Sequence, residues 1–162
     1  MSPDLLLLPE LSFYRATYEC DPPLVRGAGQ RPLSAEEVTE SCELLLAMAQ
    51  RHQCTCWLLD GRHHQREQPQ ELHDWLREEY LPRVRAVLGR PFFIAFLVPP
   101  FVWAGLLAKG YSDPQDWHTH AVHLAWFTHE APALEWLAQQ RDHQAASSLP
   151  AVVSAPENNV QK

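Results

Sequence analysis

The chain has 162 residues, of which 46% are hydrophobic and 20% are charged, a composition typical of folded globular domains. A chain of this length buries enough surface for one core of its own. Its formal net charge of −7 opposes attraction to phosphate backbones and to anionic membranes. We therefore expect a single domain with no nucleic-acid partner and no membrane partner.

The N-terminal sequence and the cysteines indicate the compartment. The apolar run Leu5–Leu8 is too short to span a bilayer, and it lacks the basic start and cleavage site of a signal peptide. Disulfides are not expected in a chain of this size without an export signal. We predict a cytoplasmic protein whose four cysteines are reduced and mostly buried, namely Cys20, Cys42, Cys54 and Cys56.

The first third of the chain predicts a hairpin followed by a helix. Two β-rich runs between Leu11 and Gln30 flank Asp21-Pro22-Pro23, a turn that cannot continue a strand. Ser34 and Glu37 have the spacing of a capping box, and apolar residues recur behind them at helical spacing. We expect an antiparallel hairpin and then a helix from about Ala35 to His52.

The run Cys54–Asp60 predicts the centre of the sheet. Both of its alternating sets are largely apolar, as in a strand that is buried on both faces. The period of two places Cys54 and Cys56 on one face as small core residues. The run stops on Asp60 before a polar loop, and open α/β sheets bind ligands or partners outside such strand ends.

Helical spacing resumes from Pro69 to Leu88. Acidic residues come early in this segment and arginines come late, which complements the helix dipole. Pro82 should kink or split the helix near Tyr80, and Gly89 is predicted to end it in a left-handed conformation. A second two-sided apolar strand, Phe92–Val98, follows.

The remaining elements predict a largely parallel sheet. We expect a short helix at Phe101–Lys109, a loop at 111–120, a strand at His123–Phe127 and a final helix capped by Thr128. The order β-β-α-β-α-β-α-β-α indicates an α/β fold with a mixed, mainly parallel sheet and an N-terminal antiparallel hairpin. Residues 1–10 are interpreted as an N-terminal arm, 11–141 as the domain and 142–162 as a disordered tail.

This pattern resembles the STAS domains, and in particular the small stand-alone bacterial proteins described as STAS-like or anti-sigma-factor-antagonist-like. The segments that carry the likeness are the N-terminal hairpin, the helix capped at Ser34, Trp57–Asp60, Phe92–Val98 and Trp126–Leu137. The resemblance implies a non-enzymatic interaction or signalling module. It spans roughly residues 11 to 140.

A STAS domain is switched by phosphorylation of a serine that follows the central strand. Residues 61–65 of this chain contain no hydroxyl group, so the resemblance carries over no phospho-acceptor. Protonation of His63 and His64 is another way in which this loop could respond to its surroundings, because histidine titrates near pH 6. The resemblance transfers, at most, the place of a partner surface.

Asp60 and Arg62 are the first candidates for a site at the strand end. Asp60 could serve as an acid, as an anion-repelling gate or as a cap for the amides of its loop, and an aspartate beside an arginine is most often structural. Catalysis needs a second convergent acid or nucleophile, and the loops after Val98 and Phe127 offer none. No catalytic residue and no cofactor is therefore predicted.

The nine histidines raise the question of a metal. His118, His120 and His123 are close in sequence, but they lack the paired spacing of zinc motifs. Zinc also needs three or four convergent ligands with supporting partners. Solvated loop histidines are the favoured interpretation, and no metal site is predicted.

The connection between Phe101 and His120 is the predicted functional surface. It is longer and more aromatic than a crossover requires, and one short helix cannot bury all of its apolar side chains, so some should remain exposed. The apolar side chains of this connection are those of Phe101, Trp103, Leu106, Leu107, Tyr111 and Trp117. We expect an unidentified protein partner or a homodimer contact there. The alternative is a small-molecule or lipid pocket under the 101–109 helix, lined by Phe92, Phe96, Phe101, Trp103 and Leu107.

Overall fold

The computed structural model describes residues 8, 10–63, 69–108, 117–119 and 122–147. Strands and helices alternate over most of this part, after an N-terminal hairpin. The strands are β1 (Tyr14–Cys20), β2 (Pro23–Gly29), β3 (Cys56–Asp60), β4 (Phe92–Leu97), β5 (Trp117–Thr119) and β6 (Val122–Phe127). The helices are α1 (Ala35–His52), α2 (Gln70–Trp75), α3 (Leu81–Leu88), α4 (Pro100–Ala108) and α5 (Glu130–Ser147), and a π-helical turn at Leu76–Tyr80 joins α2 to α3.

The strands form one mixed sheet in the order β1-β2-β3-β4-β6-β5. The outer pairs β1–β2 and β5–β6 are antiparallel, and the pairs from β2 through β6 are parallel. The α/β class, the N-terminal hairpin and the mixed sheet predicted from the sequence are thus confirmed. β3 lies between two parallel neighbours, which also confirms its predicted central place.

Helices cover both faces of the sheet. The core on one face joins the sheet to α1, the π turn and α3, through residues such as Leu45, Tyr80 and Val84. The core on the opposite face joins it to α5, through Ala133, Trp136 and Leu137. Because β3 and β4 lie between the two helical layers, both of their alternating sets of side chains are apolar.

Local signals place α1 and the break between α2 and α3 where the sequence predicts them, whereas α5 begins at Glu130, one residue later than a cap at Thr128 would give. The Ser34 hydroxyl accepts a hydrogen bond from the Glu37 amide at 3.2 Å, and the Glu37 carboxylate accepts one from the Ser34 amide at 3.0 Å, which completes the capping box. Pro82 is the second residue of α3, and the π turn before it accommodates the missing amide and the steric bulk of the proline ring. Gly89 closes α3 with φ of 72°, as expected for a left-handed cap.

Three local expectations are wrong. Residues 117–119 form the edge strand β5, whereas the sequence predicts a loop over 111–120. Only three residues pair there, too few to give a recognisable alternation in sequence. The helix α5 continues to Ser147, five residues past Asp142, where the sequence predicts the start of a disordered tail. Residues 148–162 lie outside the described part of the chain.

The third error concerns the two cysteines before the central strand. Cys54 belongs to the core under α1, whereas Cys56 belongs to the core under α5. β3 begins only at Cys56, so the two-residue period does not extend back to Cys54. The Cys54 carbonyl instead accepts a hydrogen bond from the Trp57 indole at 3.1 Å. Both thiols are buried, as predicted.

Candidate functional site

Three chain segments leave the sheet at the same edge. β3, β4 and β6 are parallel, and Asp60, Leu97 and Phe127 occupy one row across them. The Gly61 amide donates to the Leu97 carbonyl at 2.8 Å, and the Val98 amide donates to the Phe127 carbonyl at 2.9 Å. The predicted candidates that follow β3 and those that follow β4 therefore lie at one edge of the sheet.

Asp60 is bound by its own loop. Its Oδ1 accepts hydrogen bonds from the Arg62 backbone amide at 3.0 Å and from Arg62 Nε at 2.9 Å, and its Oδ2 accepts one from Arg62 Nη2 at 2.8 Å. Partial burial alone would raise the pKa of Asp60, but the hydrogen bonds and the charge of Arg62 outweigh it and lower this pKa. Asp60 is thus an ionised cap for the turn, with its oxygens already engaged by Arg62.

A second charged cluster lies on the neighbouring strand β2. Arg26 donates from Nε to Glu19 at 2.8 Å and from Nη1 to Glu130 at 3.0 Å. It therefore links the hairpin to the start of α5. Glu130 also raises the pKa of Arg62 through its charge, after the larger effect of the hydrogen bond to Asp60. Sequence reasoning missed this cluster, because Arg26 and Glu130 are far apart in the chain and no local pattern relates them.

α4 has an unusual composition and an unusual exposure. No residue from Pro100 to Ala108 carries a charge, a hydroxyl or an amide side chain, and none of its described side chains is buried. Phe101 is 49% exposed and Leu107 is 47% exposed. The predicted exposure of apolar residues in this connection is confirmed for these two. An all-apolar helix is normally buried, so packing against the described part of the chain does not explain the composition of α4.

A groove of about 400 Å³ lies beside α4, at the start of α5. Its lining is half apolar and half polar: Trp103, Phe127, Pro132 and Trp136 with Thr128, His129, Glu135 and Gln139. The Thr128 hydroxyl lies 3.0 Å from His129 Nδ1. A nucleophile and its base also need a third group that orients the base, and these two side chains are neighbours on an exposed segment.

The pocket predicted under the 101–109 helix is not lined as expected. Phe92 is fully buried in the core under α1, and Phe96 stacks on Trp126 with ring centroids 5.6 Å apart. Phe101 and Leu107 face solvent, and Trp103 alone of the predicted lining borders the groove. The reason is strand alternation: Phe92 and Phe96 point to the α1 face, whereas the groove lies on the α5 face.

The predicted histidines fall partly outside the described residues. His63 is exposed in the loop after β3, and His64 lies beyond the described part. His118 and His123 occupy opposite positions in the β5–β6 pairing, and His123 stacks on Phe93 with centroids 4.8 Å apart. Within the described ranges, no group of three histidine, cysteine or acidic side chains could hold a metal; His120 lies outside them.

The other candidates on the 101–120 connection also lie outside the described side chains: Leu106, Tyr111 and Trp117. Among the helices that the structure describes, none has the length and apolar character needed to cross a membrane. Comparison of the chain with protein-family models, with curated proteins and with solved structures gave no match.

Proposed function

We propose that this protein is a non-catalytic interaction module of STAS-like type, which binds a protein partner through α4. The observation that carries the proposal is the exposure of an uncharged helix at the sheet edge that also holds the loop after β3. Exposed apolar side chains that are grouped in one element usually mark an interface. Phe101 and Leu107 are the proposed anchors, because each leaves nearly half of its surface in solvent.

The charged residues at this edge support binding more than chemistry. Asp60 is already engaged with Arg62, and Arg26 is engaged with Glu19 and Glu130. Side chains that hold one another in ion pairs fix the loops that carry them and leave their charged groups less available to a substrate. The order of hairpin, capped helix and central strand supports the STAS-like assignment. The absence of a hydroxyl in residues 61–65 means that a phospho-switch at this loop is not part of the proposal.

The alternative function is small-molecule or lipid binding. The groove beside Trp103 favours it, because about 400 Å³ is within the range of ligand pockets. Native mass spectrometry of the purified protein separates the two functions. A retained small molecule that is lost on Trp103→Ala would favour the groove, whereas a bare chain that binds a protein partner favours α4.

The test of the interaction proposal uses single charge substitutions. A partner recovered by cross-linking with the wild type is purified and titrated with Phe101→Glu, Leu107→Glu and the control Val87→Glu. Val87 is 37% exposed on α3, so it offers a matched apolar residue outside the proposed surface.

Both α4 variants should bind more than about tenfold more weakly, because an unpaired charge in a desolvated contact is costly. Val87→Glu should bind as the wild type does. Equal affinities for all four proteins would rule out α4 as the partner surface.

A further inference from the structure

β1 lies at one end of the sheet, and within the described part of the chain its outer edge is unpaired except at Tyr14, which forms a bridge with Leu11. It pairs with β2 on one side, and no other strand of the described part lies on its second side. The Gln30 amide donates to the Phe13 carbonyl at 2.9 Å, so the backbone of Phe13 faces β2. The Tyr14 amide donates at 3.5 Å to the Leu11 carbonyl, away from β2. In an antiparallel pair these two orientations alternate along the strand.

The alternation shows which backbone groups are available at the edge. By this alternation and the register of the pair, the amides and carbonyls of Ala16, Tyr18 and Cys20 point away from β2, whereas those of Arg15, Thr17 and Glu19 point toward it. A groove of about 490 Å³ runs along this edge. It is bordered by β1, by α1 through Leu44 and Met48, and at one end by residues that precede β1, among them Leu8 and Leu11. Such an edge is a template for one more strand.

The sequence of β1 is complementary to itself in one register. If two copies pair antiparallel about Thr17, the middle of the seven-residue strand, Ala16 lies opposite Tyr18 of the second copy. Both residues point their backbone groups outward, so this is a hydrogen-bonded pair. Arg15 then lies opposite Glu19 of the second copy, in the type of pair whose Cα atoms are only about 4.5 Å apart. The two-fold axis repeats the contact.

Other registers lose this match. A shift of the centre to Ala16 places Arg15 opposite Thr17, and a shift to Tyr18 places Glu19 opposite Thr17. A centre between two residues would pair an outward-facing backbone with an inward-facing one, which forms no ladder. Only the register about Thr17 pairs opposite charges, and its ladder uses Ala16 and Tyr18 of both copies, because the Tyr14 amide is bonded to Leu11.

We propose that two copies of this chain associate edge to edge through β1, in a continuous antiparallel sheet centred on Thr17. Arg15, Thr17 and Glu19 are all exposed in the single chain and form the contact row. Glu19 uses Oε2 for Arg26, so Oε1 is the oxygen that faces Arg15 of the second copy. This surface is separate from α4, and the inference does not depend on the function proposed for that helix.

A charge-swap experiment tests the register. Arg15→Glu places a carboxylate opposite Glu19 of the second copy, and Glu19→Arg places a guanidinium opposite Arg15. Each variant alone should dimerise more than about tenfold more weakly than the wild type, because it sets like charges against each other twice. An equimolar mixture of the two variants restores opposite charges at both contacts, so it should form a heterodimer.

Sedimentation velocity over a concentration series measures the mass of the species that each variant forms. The wild type should reach twice the 18.6 kDa mass of the chain, and Arg77→Glu, an exposed arginine on the π turn, should behave like it. Ala16→Pro removes an outward amide without breaking the β1–β2 ladder, so it should give a folded monomer by circular dichroism.

A wild type that stays monomeric would overturn the proposal and leave the edge to another occupant, such as residues 1–7 of the same chain. A dimer that persists in Ala16→Pro and in both charge variants would place the contact elsewhere. A mixture of Arg15→Glu and Glu19→Arg that stays monomeric, beside a dimeric wild type, would contradict the register about Thr17.

Discussion

The helices α1 and α4 differ in capping, in composition and in burial. α1 has a complete capping box, acidic residues in its first turn, basic residues in its last turn and one buried apolar stripe. α4 has no polar residue to divide its faces, and Phe101 and Leu107 lie in solvent. Packing and capping explain the sequence of α1. Among the described residues they do not explain α4, whose composition fits a contact with a partner.

Matched leucine truncations on the two helices should give the largest contrast. Leu45 on α1 is 2% exposed and Leu107 on α4 is 47% exposed. Leu45→Ala should lower the free energy of unfolding by about 2–5 kcal/mol through lost contacts and a cavity. Leu107→Ala should change it by less than about 0.5 kcal/mol. Urea denaturation of both variants measures the difference, and equal losses would mean that α4 is part of the core.

The same contrast should appear between neighbours on β3. Leu58 is 1% exposed under α5, whereas Leu59 is only partly buried on the opposite face. Leu58→Ala should cost about 2–5 kcal/mol, and Leu59→Ala should cost less, about 1 kcal/mol, because less apolar surface leaves water on folding. Melting temperatures equal to that of the wild type for both variants would contradict the central position of β3 in the sheet.

Loss of the α1 cap should have a moderate effect. Ser34→Ala removes the acceptor for the Glu37 amide and should lower the free energy of unfolding by about 1 kcal/mol. Thr39→Ala is the control, because its hydroxyl only donates to the Glu36 carbonyl within the same helix. A cost for Thr39→Ala as large as that for Ser34→Ala would show that the cap contributes nothing specific.

The smallest predicted effect is the pH dependence from Asp60. Since folding lowers its pKa from a reference value of 3.8, the ionised form is favoured in the folded state. This stability is complete above the unfolded pKa and is lost as the pH falls through the lower, folded value. For a partly exposed pair the gain is below about 1 kcal/mol. Asp60→Asn should flatten the acid side of the stability curve, and an unchanged slope below pH 4 would contradict the ion pair.

Much of the fold follows from local sequence signals. The turn after β1, the box at Ser34 and Glu37 and the break before Pro82 each depend on a few neighbouring residues, so the sequence predicts them. The turn is shorter than predicted, because Pro23 already belongs to β2. The centre of the sheet was also predictable, because burial on both faces leaves two apolar sets in β3. These features need no knowledge of distant contacts.

The errors come from contacts between distant segments. β5 is stabilised by its pairing with β6 rather than by its own three residues. Cys54 lies on the opposite face from Cys56, because its position is fixed by the preceding helix cap and not by the strand. The bond from Arg26 to Glu130 and the groove beside Trp103 depend on how α5 returns over the sheet, which no local pattern encodes. The exposure of Phe101 follows from the excess of apolar residues in its segment. Strand alternation places Phe92 and Phe96 on the α1 face, which excludes both from a groove on the α5 face.

Hydroxyl-radical footprinting tests the central claim, that α4 is exposed to receive a partner, most directly. In the isolated protein, Phe101, Leu107 and the control Val87 should all be labelled, since all three are exposed. In the complex with the partner, labelling of Phe101 and Leu107 should fall strongly while that of Val87 stays constant. Unchanged labelling of Phe101 and Leu107 in a saturated complex would contradict the account.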